Sequence, residues 1–336
     1  MFKRADTSWM KGSFGLSFHW THGSSCLDGT HLPYGEAVDR FDIMKVADAL
    51  SSVGATHCIF TLTHARQYLA FPNTVLEQIL PGRTTRRDML GELIEELSRR
   101  GIRFIAYYNH SCNMGDDPEW ETASGYAGGW NGGLDRFATN ILNIVSFTAR
   151  RYGMGISAWW FDSSYSVDPR GPSKTINCDI GDWRFPWEQL NEAAKSGNKA
   201  CAVTFNAGLG RSFLYSDCQD YYAGECSSLD QEFTPASVKM QDHRWTTFDN
   251  IRWVFNEKAS PCEFTAMRFP ASEFIRGIQE HRAAGRMVTL NVNIDQLGNV
   301  NPRIRELADA GLLPGKQPPK GKACASSLSA TKPYEP

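Results

Sequence analysis

The chain has 336 residues, 41% of them hydrophobic, with 35 basic and 37 acidic side chains and a formal net charge of −2. A balance this near zero offers no positive field to nucleic acid and no acidic solvating tail. No apolar run reaches the ~20 residues of a membrane-spanning helix, and the length suits one α/β barrel with a large core.

Residues 1–12 carry no apolar signal-peptide core, which favours the cytoplasm; Lys3-Arg4 before Ala5 leaves a processed, secreted form as the other reading. Residues 13–20, "SFGLSFHW", read as the first strand. Residues 37–55 read as a helix, with Phe41, Met44, Val46, Ala49 and Leu50 near helical spacing and Gly54 as its stop. The second strand is 57–64. Residues 84–101 form the clearest helix, with a threonine cap, Leu90, Leu93, Ile94 and Leu97 inward, and Gly101 after it. Strands follow at 102–109, 156–161, 200–206 and 286–293, with a helix at 134–152. The pattern is weakest between 220 and 270.

Strand–helix alternation predicts parallel strands with crossover helices, and about eight such units favour a (β/α)8 TIM-like barrel in a single domain. Chemistry in such barrels sits at the C-terminal strand ends, where this chain places His19, His64, Asn109, Asp162, Asn206 and Asn291. "ISAWWFD" delivers a lone carboxylate, Asp162, at the end of an apolar strand.

Nine cysteines without a C-x-x-C pair argue against a zinc cluster. His19, His22, His64 and His110 suggest a metal, but the x-x spacing of His19 and His22 cannot aim both side chains the same way on a strand. No metal and no cofactor is therefore expected. The glycine-rich 125–133 lacks a P-loop's Lys-Ser/Thr and reads as a lid, a subsite wall or a plain loop. The Asn109 sequon falls at a predicted strand end. Trp20, Trp130, Trp160, Trp183 and Trp245 lie at strand ends or loops, where aromatic faces can stack on sugar rings. Trp159 reads as core.

Taken in order, "FGLSFHW", "VGATHCIFTLTH", "RRGIRFIAYYN", "WWFD", "FNAG", "QDYYAGE" and "GRMVTLNVNIDQLGNV" resemble the catalytic barrel of the α-L-fucosidases, glycoside hydrolase family 29, over about residues 9–300. The resemblance implies a retaining exo-glycosidase with a glycan substrate. Asp162 matches the nucleophile and Glu225 the acid/base, with Glu232 and Glu257 as fallback acids. His19 and His64 match sugar-binding histidines. Trp20, Arg66, Tyr108, Asn109, Trp160, Asn206 and Arg211 join them as candidate sugar contacts. The family's trailing β-sandwich has no room, so 1–314 reads as one catalytic barrel and 315–336 as a mobile Pro-, Lys- and Ser-rich tail.

The departures concern the sugar. The second histidine of the family's pair is Ala65, and the family's Asn-Asp-Arg is Asn206-Ala207-Gly208. The first-helix tryptophan aligns with Val46. Weak activity on simple α-L-fucosides is therefore expected, with another sugar or a larger glycan preferred, or transfer to a sugar acceptor. Two other classes compete: a carbohydrate-binding protein on a decayed barrel, and a lyase or isomerase using the same pocket.

Overall fold

Among the described residues, seven strands lie parallel in one curled, half-barrel sheet of order β5-β4-β3-β2-β1-β7-β6. They are β1 (Phe14–Phe18), β2 (His57–Thr63), β3 (Arg103–Asn109), β4 (Ile156–Asp162), β5 (Ala202–Phe205), β6 (His243–Thr247) and β7 (Met287–Asn291). The computed structural model describes residues 3–112, 117–129, 131–170, 178–232, 240–249 and 264–312. Its helices are α1 (Tyr34–Arg40), α2 (Ile43–Ser52), α3 (Thr74–Ile79), α4 (Met89–Arg99), α5 (Pro118–Ser124), α6 (Gly133–Tyr152), α7 (Trp187–Ala194), α8 (Ala271–Ala283) and α9 (Arg305–Asp309). None of the described helices is long and apolar enough to cross a membrane. The tail from 315 lies outside the described residues.

Side-chain alternation sorts the strands into two layers. Leu16, Phe60, Tyr108, Trp159, Phe161 and Phe205 pack into the cluster shared with the helices. Ile59, Ile105, Tyr107, Ala158, Trp160 and Trp245 face the other way, in a smaller inner cluster with Met10. Strands buried on both faces read as continuous apolar runs, as in "ISAWWF".

Residues 220–226 run beside both β5 and β6. Asp220 N donates to Val203 O at 2.8 Å, and Trp245 N donates to Gly224 O at 2.9 Å. The strand β6, "HRWTT", carries little apolar signal, because its inward side chains are His243, Trp245 and Thr247.

Two helix readings need correction. The helix expected over 37–55 is two helices, α1 and α2. Phe41 leaves helical geometry to enter the core, and Asp42 restarts the chain by accepting from Met44 N at 3.0 Å. The cap of α4 is Asp88 rather than a threonine; its carboxylate accepts from Gly91 N at 2.9 Å. Thr84 and Thr85 instead donate to Glu77 and to the Arg87 carbonyl.

Candidate active site

Inner-face parity carries through to the strand ends and gathers the site. His19 lies beyond β1, Asn109 and Asp162 end β3 and β4, Asn206 follows β5, and Asn291 ends β7. Asn109 and Asp162 are direct partners across the β3–β4 pair. All five side chains project over the rim above the inner cluster.

One amide joins the two candidate carboxyl groups. Asn206 Nδ2 donates to Asp162 Oδ1 at 2.8 Å and to Glu225 Oε2 at 2.7 Å. The 120° fork of a planar amide sets those oxygens about 4.8 Å apart when both bonds are linear. The two bond lengths together cap the separation at about 5.5 Å. The other oxygen of Asp162, Oδ2, accepts from the Tyr107 hydroxyl and from Asn109 Nδ2 at 3.3 Å. Both acids are partly exposed, as a group that meets a substrate must be.

Burial lifts Glu225 to about 7; the neighbouring Asp162 carboxylate adds to the rise, and the Asn206 hydrogen bond opposes it. Burial lowers His64 to about 4, against the pull of Asp162. His19 falls well below the usual histidine range through burial and then through His64, against its bond to Asn291. Both imidazoles are therefore neutral at pH 7 and serve as hydrogen-bonding and packing groups. Tyr165, three residues past Asp162, is pushed up first by Asp162, then by burial and by Glu225, so its phenol stays protonated beside the pair.

An aromatic floor lies beneath. Tyr107 stacks on Trp160 with centroids 5.0 Å apart, and Trp160 on Trp245 at 6.0 Å. His19 stands edge-on to Tyr107 at 4.7 Å, to His64 at 5.0 Å and to Trp245 at 5.7 Å. His19 Nδ1 is 2.8 Å from Asn291 Oδ1. The Trp160 indole donates to Ala223 O at 3.1 Å, bracing the segment that carries Glu225. Trp160 is thus floor, with its N–H already spent.

Three described non-glycine residues have positive φ: Ala65 (60°), Ser111 (57°) and Ser163 (57°). Each follows within a few residues of a strand end, β2, β3 or β4, where the chain turns sharply off the rim. His110 lies 2.8 Å by Nε2 from Ser163 O and accepts from Cys112 N at 3.1 Å by Nδ1, so its ring fixes the turn after Asp162. Asn109 is buried with its amide engaged on Ser111, Ser163 and Asp162, which leaves the sequon no free side chain for a glycan.

The structure brings Asp162, Glu225, His19, His64, Asn109 and Asn206 together and places other candidates elsewhere. Trp20 is a correction: next to the inward His19 it points outward, packs against Phe41 at 5.3 Å and donates its indole N–H to Gln296 O. Tyr108 is another. It faces the helices and donates to Gln67 Oε1 at 3.1 Å, while its neighbour Tyr107 reaches Asp162. Val46 is fully buried in α2, so that position offers no contact to a sugar. Arg66 is half-buried in the turn beyond His64, and Arg211 is exposed on the turn after Asn206. Trp183 donates its indole N–H to Asp135 in the first turn of α6 at 2.9 Å. Glu232 is exposed, and Trp130 and Glu257 lie outside the described residues. His22 stacks on Tyr68 at 4.1 Å. Among the described residues no three His, Cys, Asp or Glu side chains converge as a metal site.

Sequence reasoning passed over Tyr107 as a site residue, and named Asn291 at its strand end without giving it a role. The period of two supplies the missing signal: if Asn109 faces the rim then Tyr107 does, and Tyr108 cannot.

The family described as Alpha-L-fucosidase matches residues 3–310. No curated protein matches the chain. Among solved structures, the glycoside hydrolase family 107 endo-fucoidan hydrolase MfFcnA4 is 14% identical, with a TM-score of 0.63 over 89% of this chain and 52% of that one. This chain thus spans about half of that hydrolase's length. The alpha-L-fucosidase AlfC from Lactobacillus casei, in complex with alpha-L-fucose product, is 17% identical, with a TM-score of 0.58 over 91% of this chain and 96% of that one. A family 29 alpha-L-fucosidase from Bacteroides thetaiotaomicron is also 17% identical, with a TM-score of 0.58 over 92% and 73%. At these identities the likeness is one of fold.

Proposed function

The chain belongs to the alpha-L-fucosidase family, and we propose that it is a retaining glycoside hydrolase in which Asp162 is the nucleophile and Glu225 the acid/base. The observation that carries this reading is the Asn206 amide bonded to both carboxyl groups. Oxygens held within about 5.5 Å match the 5–5.5 Å of double displacement and fall short of the roughly 6.5–9.5 Å that an inverting enzyme needs for its water.

The reaction then runs in two halves. An oxygen of Asp162 attacks the anomeric carbon while Glu225 gives its proton to the departing glycosidic oxygen, leaving a glycosyl ester on Asp162. Forming the ester removes the Asp162 charge that helped to lift Glu225, so Glu225 is drawn back toward the ordinary carboxylate range and stays ionised, the form in which it acts as base. It takes a proton from water, whose oxygen displaces Asp162 with net retention. A sugar hydroxyl in place of that water would make the reaction a transglycosylation.

The same reading treats residues 1–314 as one catalytic barrel in which 220–226 supplies an eighth stave. The substrate is an α-L-fucoside or a related glycoside. A pure binding protein has no use for an acid poised near 7 beside a second carboxylate. The direct test is turnover in a screen of aryl glycosides comprising α-L-fucoside, β-D-galactoside, α-L-arabinoside and β-D-arabinoside. Binding of these sugars without turnover of any would overturn the reading.

A further inference from the structure

We propose that Asn206 is the positioning residue of the carboxyl pair: it holds Asp162 and Glu225 as one unit and confines the acid proton to Oε1 of Glu225. This rests on the double-displacement reading and deepens it. It also replaces the sugar-contact role expected for Asn206 from sequence.

Three bonds account for the side chain. Both amide protons go to carboxyl oxygens, at 2.8 and 2.7 Å. The amide oxygen accepts from Gly208 N at 3.1 Å. That third bond fixes which end of the amide faces the acids, because a flipped amide would set its N–H against the N–H of Gly208. Asn206 is 1% exposed, so water does not compete for these bonds. No proton is left to donate to a sugar hydroxyl.

The backbone is built to this end. Gly208 has φ +92°, a left-handed conformation that glycine adopts without strain and that returns its N–H to Asn206. The position where the resembling family carries arginine therefore serves the amide here. The same turn grips the acid a second time: Gly210 N donates to Glu225 O at 2.8 Å. The end of β5 thus holds Glu225 by side chain and by main chain.

The proton follows from acceptor strength. In a neutral carboxyl group the carbonyl oxygen is the better acceptor, so the oxygen bonded to Asn206, Oε2, is the carbonyl and Oε1 carries the proton. Once Glu225 ionises, the same N–H bond favours the charged form. Removing it should make Glu225 a weaker acid.

The test is a 13C NMR titration of carboxyl-labelled glutamate, with Glu225→Gln to assign the signal, in wild type and in Asn206→Ala. Alongside it, kcat/KM is measured against pH on the best aryl glycoside of the screen. The titration midpoint of Glu225 should rise by about half a unit or more in Asn206→Ala. The alkaline limb should move up with it, and kcat should fall more than KM rises. Asn206→Asp, which keeps the shape but cannot donate and adds a like charge, should raise the midpoint further. It gives the reading should the alanine variant fail to fold. An unmoved midpoint in a folded variant overturns the positioning role. A midpoint that moves while the limb stays put leaves that role standing and overturns Glu225 as the acid.

Discussion

The Tyr107 hydroxyl on β3 donates to Oδ2 of Asp162 on β4. Asp162 pairs with Asn109, so Tyr107 reaches it from one pleat deeper on the same face. The phenol is pushed up by burial and by Asp162 and stays a donor at every working pH. A hydrogen bond to a charged group contributes about 1.5–3 kcal/mol. Tyr107→Phe should therefore lower stability by up to about 3 kcal/mol, although the ring and its stack on Trp160 remain, and should lower kcat/KM by on the order of 10-fold or more as the attacking carboxylate loses its orientation. Unchanged kcat/KM would show that the bond does not tune Asp162.

Asp162→Ala should lose about 10³-fold or more in rate, because no glycosyl ester can form. Azide added to this variant should restore part of the rate and yield a glycosyl azide of inverted configuration, detectable by NMR. Near-wild-type turnover would remove Asp162 from its role.

With Glu225 near 7, the sign of the pH dependence is set: the acid must be protonated, so kcat/KM should fall as pH rises through about 7. Glu225→Gln should flatten that limb. It should harm substrates with poor leaving groups far more than activated aryl glycosides, which need little protonation. Equal losses on both would mark Glu225 as structural.

Deep on the inner face, His57 and His243 each place Nε2 2.8 Å from the single hydroxyl of Thr289. Among the described residues, the Nδ1 atom of His57 is buried without a hydrogen-bond partner. Burial lowers His57 to about 3; it also holds His243 well below the usual range, with His57 and Arg244 adding to the effect. Both are neutral in the fold and take up protons on unfolding below about 6.5. Their stabilisation is therefore fully present above 6.5 and lost as pH falls, by about 2 kcal/mol at pH 5 for His57, with His243 acting in the same direction. Chemical denaturation between pH 7.5 and 5 should show this slope, and His57→Gln should reduce it. A stability unchanged over that range would show that the pair is already open to protons.

Parity explains most of what the sequence made legible. Asp162 was readable because an apolar strand ending in a lone acid has few other uses. Glu225 came through the resemblance alone, since its segment is stitched to β5 and β6 by isolated bonds and has no alternation of its own. Tyr107 and Tyr108 could not be told apart by hydrophobicity, because both faces of β3 are buried. His19 and Trp20 posed the same choice. In each pair the rim takes one residue and the helical layer takes the other. The break at Phe41 was hidden because Phe41 fits the apolar period of a single helix. It is Asp42 that resets the chain.

The departures from the family's sugar-binding residues predict specificity. Val46 is core, Ala65 sits in a left-handed turn, and Gly208 serves Asn206, so none of the three offers a sugar contact. Contacts that strengthen in the transition state are each worth a few kcal/mol. The aryl α-L-fucoside should be turned over weakly, and another sugar or a larger glycan better. A kcat/KM on the fucoside of about 10⁴ M⁻¹s⁻¹ or higher, with nothing else faster, would contradict this.

The central claim is a covalent intermediate on Asp162. The measurement that tests it most directly is mass spectrometry of the enzyme incubated with an activated 2-deoxy-2-fluoro glycoside of its best sugar, followed by peptide mapping. The fluorine slows both chemical steps and lets the ester accumulate. The account predicts one glycosyl adduct per chain, carried by the peptide that contains Asp162 and absent in Asp162→Ala. An adduct on another carboxylate, or a first-formed product of inverted configuration with no adduct at all, would contradict it.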